Sequence, residues 1–397
     1  MMRALSSVES ERKPERRTDG LVLAVLLAGF AIGAFALGYM ERALDADEYV
    51  TLEAVRQPLA TMVQRADLLY PPLYFGALKL WTMIVGASVL SIRLFSLVFA
   101  VLALYLVYRC GVELFSRREA LWATLLLAFS NFHLYYATEA RMYSMVEAGG
   151  LIVTLAFFRA LRSSGERARG RFIAAVAFLS LTHYFAWFFL LGQGLYFFLS
   201  AKRKMRGVPF WWAKGVLPFF GLSLGSFALV HRLYPQAWDN LRTLQDLGAR
   251  SLSGVFYLLG AFHGMLPFPD TMRYGFLPWS LPFLAFGWKW ARGRSASPTE
   301  LVRRFAAEIK ELAVTPSGYV LFTLIVPIVG LTFLSVVLFP LFLPRYLIYG
   351  LPIYYLLVSR CAVLATPSAR RQLLLLLPAL GWSLASALSY HLLRWFG

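Results

Sequence analysis

The sequence predicts an all-α polytopic membrane protein of about 11 transmembrane helices, with further helices lying in the interface of its first outer loop. Apolar residues make up 59% of the 397 positions and charged residues only 15%. A soluble core of this size could not hide that much apolar surface. Leu21 to Met40 runs about 20 residues without a charge, enough to cross the hydrocarbon. The basic residues fall in short stretches between apolar runs, the positive-inside pattern. These are Arg12-Lys13 with Arg16-Arg17, Arg117-Arg118, Arg162 to Arg171, Lys202 to Arg206, Arg292 to Lys310 and Arg370-Arg371. That placement accounts for the net charge of +18 without nucleic acid as a partner.

The charge rule orders the elements. Residues 1–20 form a basic cytoplasmic tail and 21–40 the first span, too long for the apolar region of a cleavable signal and without a clear small-residue cleavage pattern. Residues 41–92 form the first outer loop. Its apolar stretch 72–87 is expected to lie in the interface, started by Pro71-Pro72 and flanked by Tyr70, Tyr74 and Trp81. Spans 93–110 and 119–137 make a hairpin with Ser116 to Glu119 inside, and 143–161 follows. Residues 172–200 read as two short helices turning outside at Thr182-His183-Tyr184. Span 209–231 leads to an outer, partly re-entrant segment 232–274. Span 275–290 then precedes a basic cytoplasmic loop 291–316, in which Leu301, Phe305 and Ile309 recur at helical spacing. Spans 318–339, 346–364 and 373–396 complete the chain. The division expected is a catalytic module over 21–200 and C-terminal helices over 201–397. Cys110 and Cys361 fall at inner ends of spans and are expected to be reduced and unpaired.

Polar groups gather at the outer ends. Asp47-Glu48 opens an amphipathic helix, 47–57. It is either a general base with its companion or a charge favoured by the helix dipole. In Tyr136 to Tyr143, Glu139 and Tyr143 would share a face if helical, with Arg141 pointing elsewhere unless the backbone turns. Arg345, in Pro344-Arg345-Tyr346, is an outside arginine suited either to snorkelling or to clamping a lipid phosphate. Arg93, at the start of its span, is a second candidate phosphate contact. His183 sits at an outer turn, where a lone histidine is more often structural. The outer segment carries His231, Asp239, Asp246, His263 and Asp270 without metal-site spacing.

Together these motifs resemble the C-type glycosyltransferase superfamily, most closely the bacterial members related to protein O-mannosyltransferases and lipid A aminoarabinose transferases. The resemblance rests on Asp47-Glu48 after the first span, Tyr70-Pro71-Pro72-Leu73, Tyr136 to Tyr143, and Pro344-Arg345-Tyr346. Tyr70 stands where the family usually has histidine. A large outer domain, present in some relatives, has no room in these outer segments. The resemblance implies a bacterial inner-membrane enzyme with its N-terminus in the cytoplasm. It would move a sugar from a polyprenyl-phosphate donor to a glycan, lipid or protein acceptor, with inversion and without cofactor or metal. Asp47 would be the base, with Glu48 beside it. Glu139, Arg141, Tyr143, Arg345, Tyr346, Arg93, Tyr70 and His183 would meet the substrates. The alternative is a transporter of a lipid-linked saccharide, which would more often carry ionisable groups at span centres and internal repeats.

Overall fold

The computed structural model describes residues 17–65, 71–163, 165–204, 211–233, 258, 260–263, 276–292, 303, 311–312, 314–337 and 343–396, and among them no strand occurs. The first helix, α1, is Arg17–Ala36. After a 3-10 turn at Tyr39–Glu41 come three short helices, α2 (Ala46–Arg56), α3 (Leu59–Arg65) and α4 (Leu73–Val85). The bundle continues with α5 (Val89–Leu114), α6 (Arg117–Ala128), α7 (Asn131–Ala137), α8 (Tyr143–Arg162), α9 (Glu166–Ser180), α10 (Ala186–Lys204) and α11 (Trp211–Leu233). It ends with α12 (Phe276–Arg292), α13 (Pro316–Val337), a 3-10 turn at Pro344–Leu347, α14 (Gly350–Ala365) and α15 (Ala369–Phe396).

Among the described residues five helices, α1, α5, α8, α13 and α15, contain stretches long and apolar enough to cross a membrane. At 13 residues, α4 reaches only about 20 Å and falls short of the hydrocarbon thickness. It turns Tyr74 and Leu78 inward and leaves Leu80, Met83 and Ile84 exposed, as a helix lying against lipid requires. Both cysteines are buried and free. The segments 232–274 and 291–316 lie largely outside the described residues.

One expected span differs. The apolar run 119–137 breaks at Phe129-Ser130 into α6 and α7. Ser130 Oγ accepts the His133 N–H at 3.2 Å and so starts a new helix.

Packing centres on α5 and α8. Helix α5 lies against α6 and α8, α8 against α9, α6 against α14, and α10 against α13. Two glycines permit these crossings. A Cβ at Gly111 would stand 2.5 Å from Ala120 Cα, and one at Gly192 2.5 Å from the Phe322 carbonyl oxygen. Small residues that let backbones meet are the usual means of helix association where lipid supplies no hydrophobic drive.

The bundle has two polar ends. At one, Asp19 pairs with Arg117 and accepts from the Tyr108 hydroxyl, Arg162 pairs with Glu113, and Arg360 pairs with Glu119. These ties gather the start of α1, the α5–α6 turn and the end of α8. At the other end, residues 39–57, 138–142, 181–186 and 343–349 converge, joined by hydrogen bonds described below.

Replacing Gly111 with leucine should drive α6 off α5. Overpacking of this kind costs roughly 1–3 kcal/mol, so the detergent-solubilised variant should unfold several degrees below wild type in a thermal ramp. An unchanged melting temperature would mean that the crossing is not tight.

Candidate active site

Helix α2 is pinned at both ends. Asp45 is its N-cap: Asp45 Oδ1 accepts the Glu48 N–H at 2.8 Å, and the Asp45 N–H reaches back to Glu48 Oε2 at 3.5 Å. This reciprocal capping box satisfies donors that the first turn would leave open. At the other end Lys79 Nζ, on α4, donates to the carbonyls of Val55 and Gln57 at 2.7 Å each, a cation at the negative end of the helix dipole.

Glu48 points into the protein and is fully buried. Arg93 meets it with two parallel bonds, Nε to Oε1 at 2.9 Å and Nη2 to Oε2 at 2.7 Å. Arg42 Nη1 lies 2.9 Å from Oε2. The Ala140 N–H donates to Oε1 at 2.9 Å. Arg93 is also fully buried. Its remaining N–H groups go to the carbonyls of Met40 (3.0 Å), Arg42 (2.7 Å) and Ala43 (3.2 Å). All the guanidinium donors are thereby used inside the protein, and none is left for a phosphate in this arrangement.

The run 138–142 is a turn, not a helix, so Glu139 and Tyr143 do not stack as helical neighbours. Its bend sends Arg141 toward α2, where Nη1 donates to Thr51 Oγ1 at 3.3 Å. Glu139 is buried, and its Oε2 has no hydrogen-bond partner. Burial, then the Asp45 carboxylate, push its carboxyl up to about 8, against the pull of Arg345 and Arg42.

Asp47 sits one position from Glu48 and faces the other way, its side chain 38% exposed. Arg345 Nη1 donates to Asp47 Oδ2 at 3.2 Å. The guanidinium lies 5.7 Å from the Tyr143 ring centroid and 5.8 Å from that of Tyr346. His183 packs against Tyr346 and Tyr143, with centroids 5.5 and 6.3 Å away. Its Nδ1 accepts the Phe185 N–H at 3.1 Å. Burial, then the Arg141 and Arg345 charges, hold the imidazole down to about 3. It is a neutral ring that buttresses the aromatic wall.

Asp47, Glu48, Arg93, Glu139, Arg141, Tyr143, His183, Arg345 and Tyr346 thus share one end of the bundle. Tyr70 lies outside the described residues. Arg42, Asp45 and Lys79 were missed by the sequence reading. Asp45 was readable, because Asp45-x-x-Glu48 has the form of a capping box. Arg42 and Lys79 carried no local signal, since their partners are set by tertiary packing. A buried pair beneath the turn was also missed. His133 Nδ1 lies 2.8 Å from Glu147 Oε2, with Phe30 stacked on the ring at 4.8 Å. Among the described residues no group of three or more histidine, cysteine or acidic side chains is placed to hold a metal.

Two outcomes follow for the buried carboxylates. Glu48→Ala leaves Arg93 as an uncompensated buried charge and should cost about 3–5 kcal/mol, read as a large drop in melting temperature, while Asp47→Ala should change it little. Glu139 binds a proton more tightly folded than unfolded, since an ordinary glutamate titrates near 4.3. Its stabilising effect is complete below that ordinary value and is lost as pH rises through about 8. Wild type should therefore lose melting temperature between roughly pH 5 and 8, and Glu139→Gln should lose less. Parallel curves would show that Glu139 ionises normally.

A family model described as dolichyl-phosphate-mannose-protein mannosyltransferase matches residues 70–224. No curated protein matches by sequence. ArnT from Cupriavidus metallidurans bound to undecaprenyl phosphate is similar in structure with a TM-score of 0.58 at 17% identity, over 90% of this chain and 63% of that one. The apo state of ArnT from the same organism gives a TM-score of 0.56 at 16% identity, over 95% and 76%. The chain therefore spans about two thirds of the length of the first of these structures. It is a multi-pass membrane protein with the all-helical fold of these ArnT structures.

Proposed function

We propose that this chain is a membrane glycosyltransferase that moves a sugar from a polyprenyl-phosphate donor to an acceptor hydroxyl at the outer, periplasmic face of a bacterial inner membrane. The observation that carries this reading is the pairing of an accessible carboxylate, Asp47, with an accessible cation, Arg345, at the mouth of a bundle with this fold. The matched family model and the undecaprenyl phosphate bound by ArnT support the donor class.

In the proposed reaction the lipid tail lies along the apolar helices and the phosphate meets Arg345. Asp47 accepts the proton of the acceptor hydroxyl. The acceptor oxygen forms a bond to the anomeric carbon as the bond from that carbon to the phosphate oxygen breaks. The sugar inverts, and polyprenyl phosphate leaves with the electron pair. Charge grows on the leaving phosphate, so a fixed cation there lowers the barrier. Arg141 is the second cation of the cluster. Arg93 and Glu48 act by holding the loop and helix that carry Asp47. Glu139, as a neutral carboxylic acid, suits a hydrogen bond to a sugar or acceptor hydroxyl. Tyr143, Tyr346 and His183 wall the sugar site.

The second reading is a transporter of a lipid-linked saccharide. It draws on the His133–Glu147 pair, two ionisable groups buried within the bundle. That pair sits one turn along α8 from Tyr143, near the outer end, where it braces the turn rather than lining a passage.

The test is a transfer assay on purified protein with a panel of polyprenyl-phosphate sugars, following release of polyprenyl phosphate. Wild type should release it from at least one donor. Asp47→Asn should fold and bind the donor yet turn over at least about 100-fold more slowly, the lower range for loss of a general base. No release from any donor, with tight lipid binding by both proteins, would favour the transporter.

A further inference from the structure

Two carboxylate–guanidinium pairs lie side by side at this site and differ in kind. Glu48 and Arg93 are fully buried, joined by two bonds and backed by Arg42, the Ala140 N–H and backbone carbonyls. Exchanging a partner there strands a buried charge. Asp47 and Arg345 meet through one hydrogen bond of 3.2 Å, with side chains 38% and 29% exposed. Arg345 Nε is buried and has no hydrogen-bond partner. A pair this exposed is weak and easily exchanged.

We propose that the Asp47–Arg345 contact is a latch that keeps the base occupied until a donor phosphate takes the guanidinium, so that the donor binds first and arms the site for the acceptor. This rests on the glycosyltransferase reading and adds to it an order of binding.

The chemistry of the two anions gives the direction. A guanidinium presents a fork of donors that matches two phosphate oxygens at once, whereas Asp47 now uses only one of its oxygens on one nitrogen. The unpartnered Nε gives Arg345 a donor that its present contact leaves idle. The Tyr143 and Tyr346 rings lie on the guanidinium and can hold it through the exchange. While Asp47 Oδ2 accepts from Arg345, an acceptor hydroxyl competes with the guanidinium for that oxygen and has only Oδ1 unshared. Once the phosphate holds Arg345, both oxygens are open to the hydroxyl. No covalent bond changes in this step; one hydrogen-bonded ion pair is traded for another. An acceptor arriving first therefore meets a carboxylate that still shares one oxygen with Arg345.

A binding cycle tests it, with undecaprenyl phosphate as the probe and undecaprenol as the uncharged control. Both are titrated into purified wild type, Asp47→Asn, Arg345→Gln and the double variant in detergent, each first shown to be folded by its melting temperature. Breaking the latch should let Asp47→Asn bind undecaprenyl phosphate about two- to five-fold more tightly than wild type, the size expected for a partly exposed pair. The gain should vanish when Arg345 is already glutamine. Equal or weaker binding by Asp47→Asn overturns the latch and leaves the glycosyltransferase reading standing. The same gain on the Arg345→Gln background also overturns it, since removing any negative charge would then suffice. Wild type that binds undecaprenyl phosphate no better than undecaprenol overturns the latch and the donor reading together.

Discussion

The salt bridge between Glu48 and Arg93 fixes the geometry on which the candidate-site end of the bundle depends. A buried ion pair persists only where the remaining protons and lone pairs also find partners. Here they come from separate parts of the chain. Arg93 belongs to α5, Glu48 to α2, the carbonyls of Met40, Arg42 and Ala43 to the strap between α1 and α2, and the Ala140 N–H to the turn before α8. No one of these segments can shift without stranding a donor or a charge in another. The long α5 helix serves as the post, and the loop, the short helix and the turn are tied to it.

Asp47 gains its position from that arrangement. Neighbouring residues of a helix point about 100° apart, so a rigidly held Glu48 sets the direction of the carboxylate beside it. The capping box fixes where α2 begins, and Lys79 fixes where it ends. Preorganisation of this sort is what a site needs if its groups are to meet a developing charge without rearranging. The acids of one motif thus divide their labour. Glu48 is held by several partners and acts as framework, while Asp47 is held by one and can act on something else.

Much of this was legible in the sequence and some was not, for physical reasons. The long helices followed from apolar length and from where the arginines stop. The short α4 followed from Pro71-Pro72 and the charge count on either side. Asp47, Glu139 and Arg345 were flagged by polarity at span ends, and the turn brings them together. Arg93 was another matter. An arginine at the outer start of a span looks the same in sequence whether it faces a lipid phosphate or a buried glutamate. The deciding partner, Glu48, lies 45 residues away. The break between α6 and α7 was hidden by a run that stays apolar through Phe129, and only Ser130 as a cap distinguishes two helices from one. Tertiary partners, not local pattern, decided each of these.

The charges of the cluster bear on how the proposed reaction proceeds. The arginines are Arg42, Arg93, Arg141 and Arg345, and the acids are Asp45, Asp47, Glu48 and Glu139. With its carboxyl pushed up to about 8, Glu139 favours its neutral form at neutral pH, so the four arginines outnumber the three other acids by one. A sugar donor linked through a phosphodiester brings one negative charge and makes the set neutral. During transfer the phosphate gains a negative charge as its bond to the sugar breaks, and Asp47 loses one as it takes the acceptor proton. The set is therefore neutral before and after the step. Charge moves a short distance inside the site, and none needs to be drawn from solvent. An ionised Glu139 would break this balance and disfavour the anionic donor. In the proposed reaction, its burial beside Asp45 would therefore help a lipid phosphate settle against Arg345.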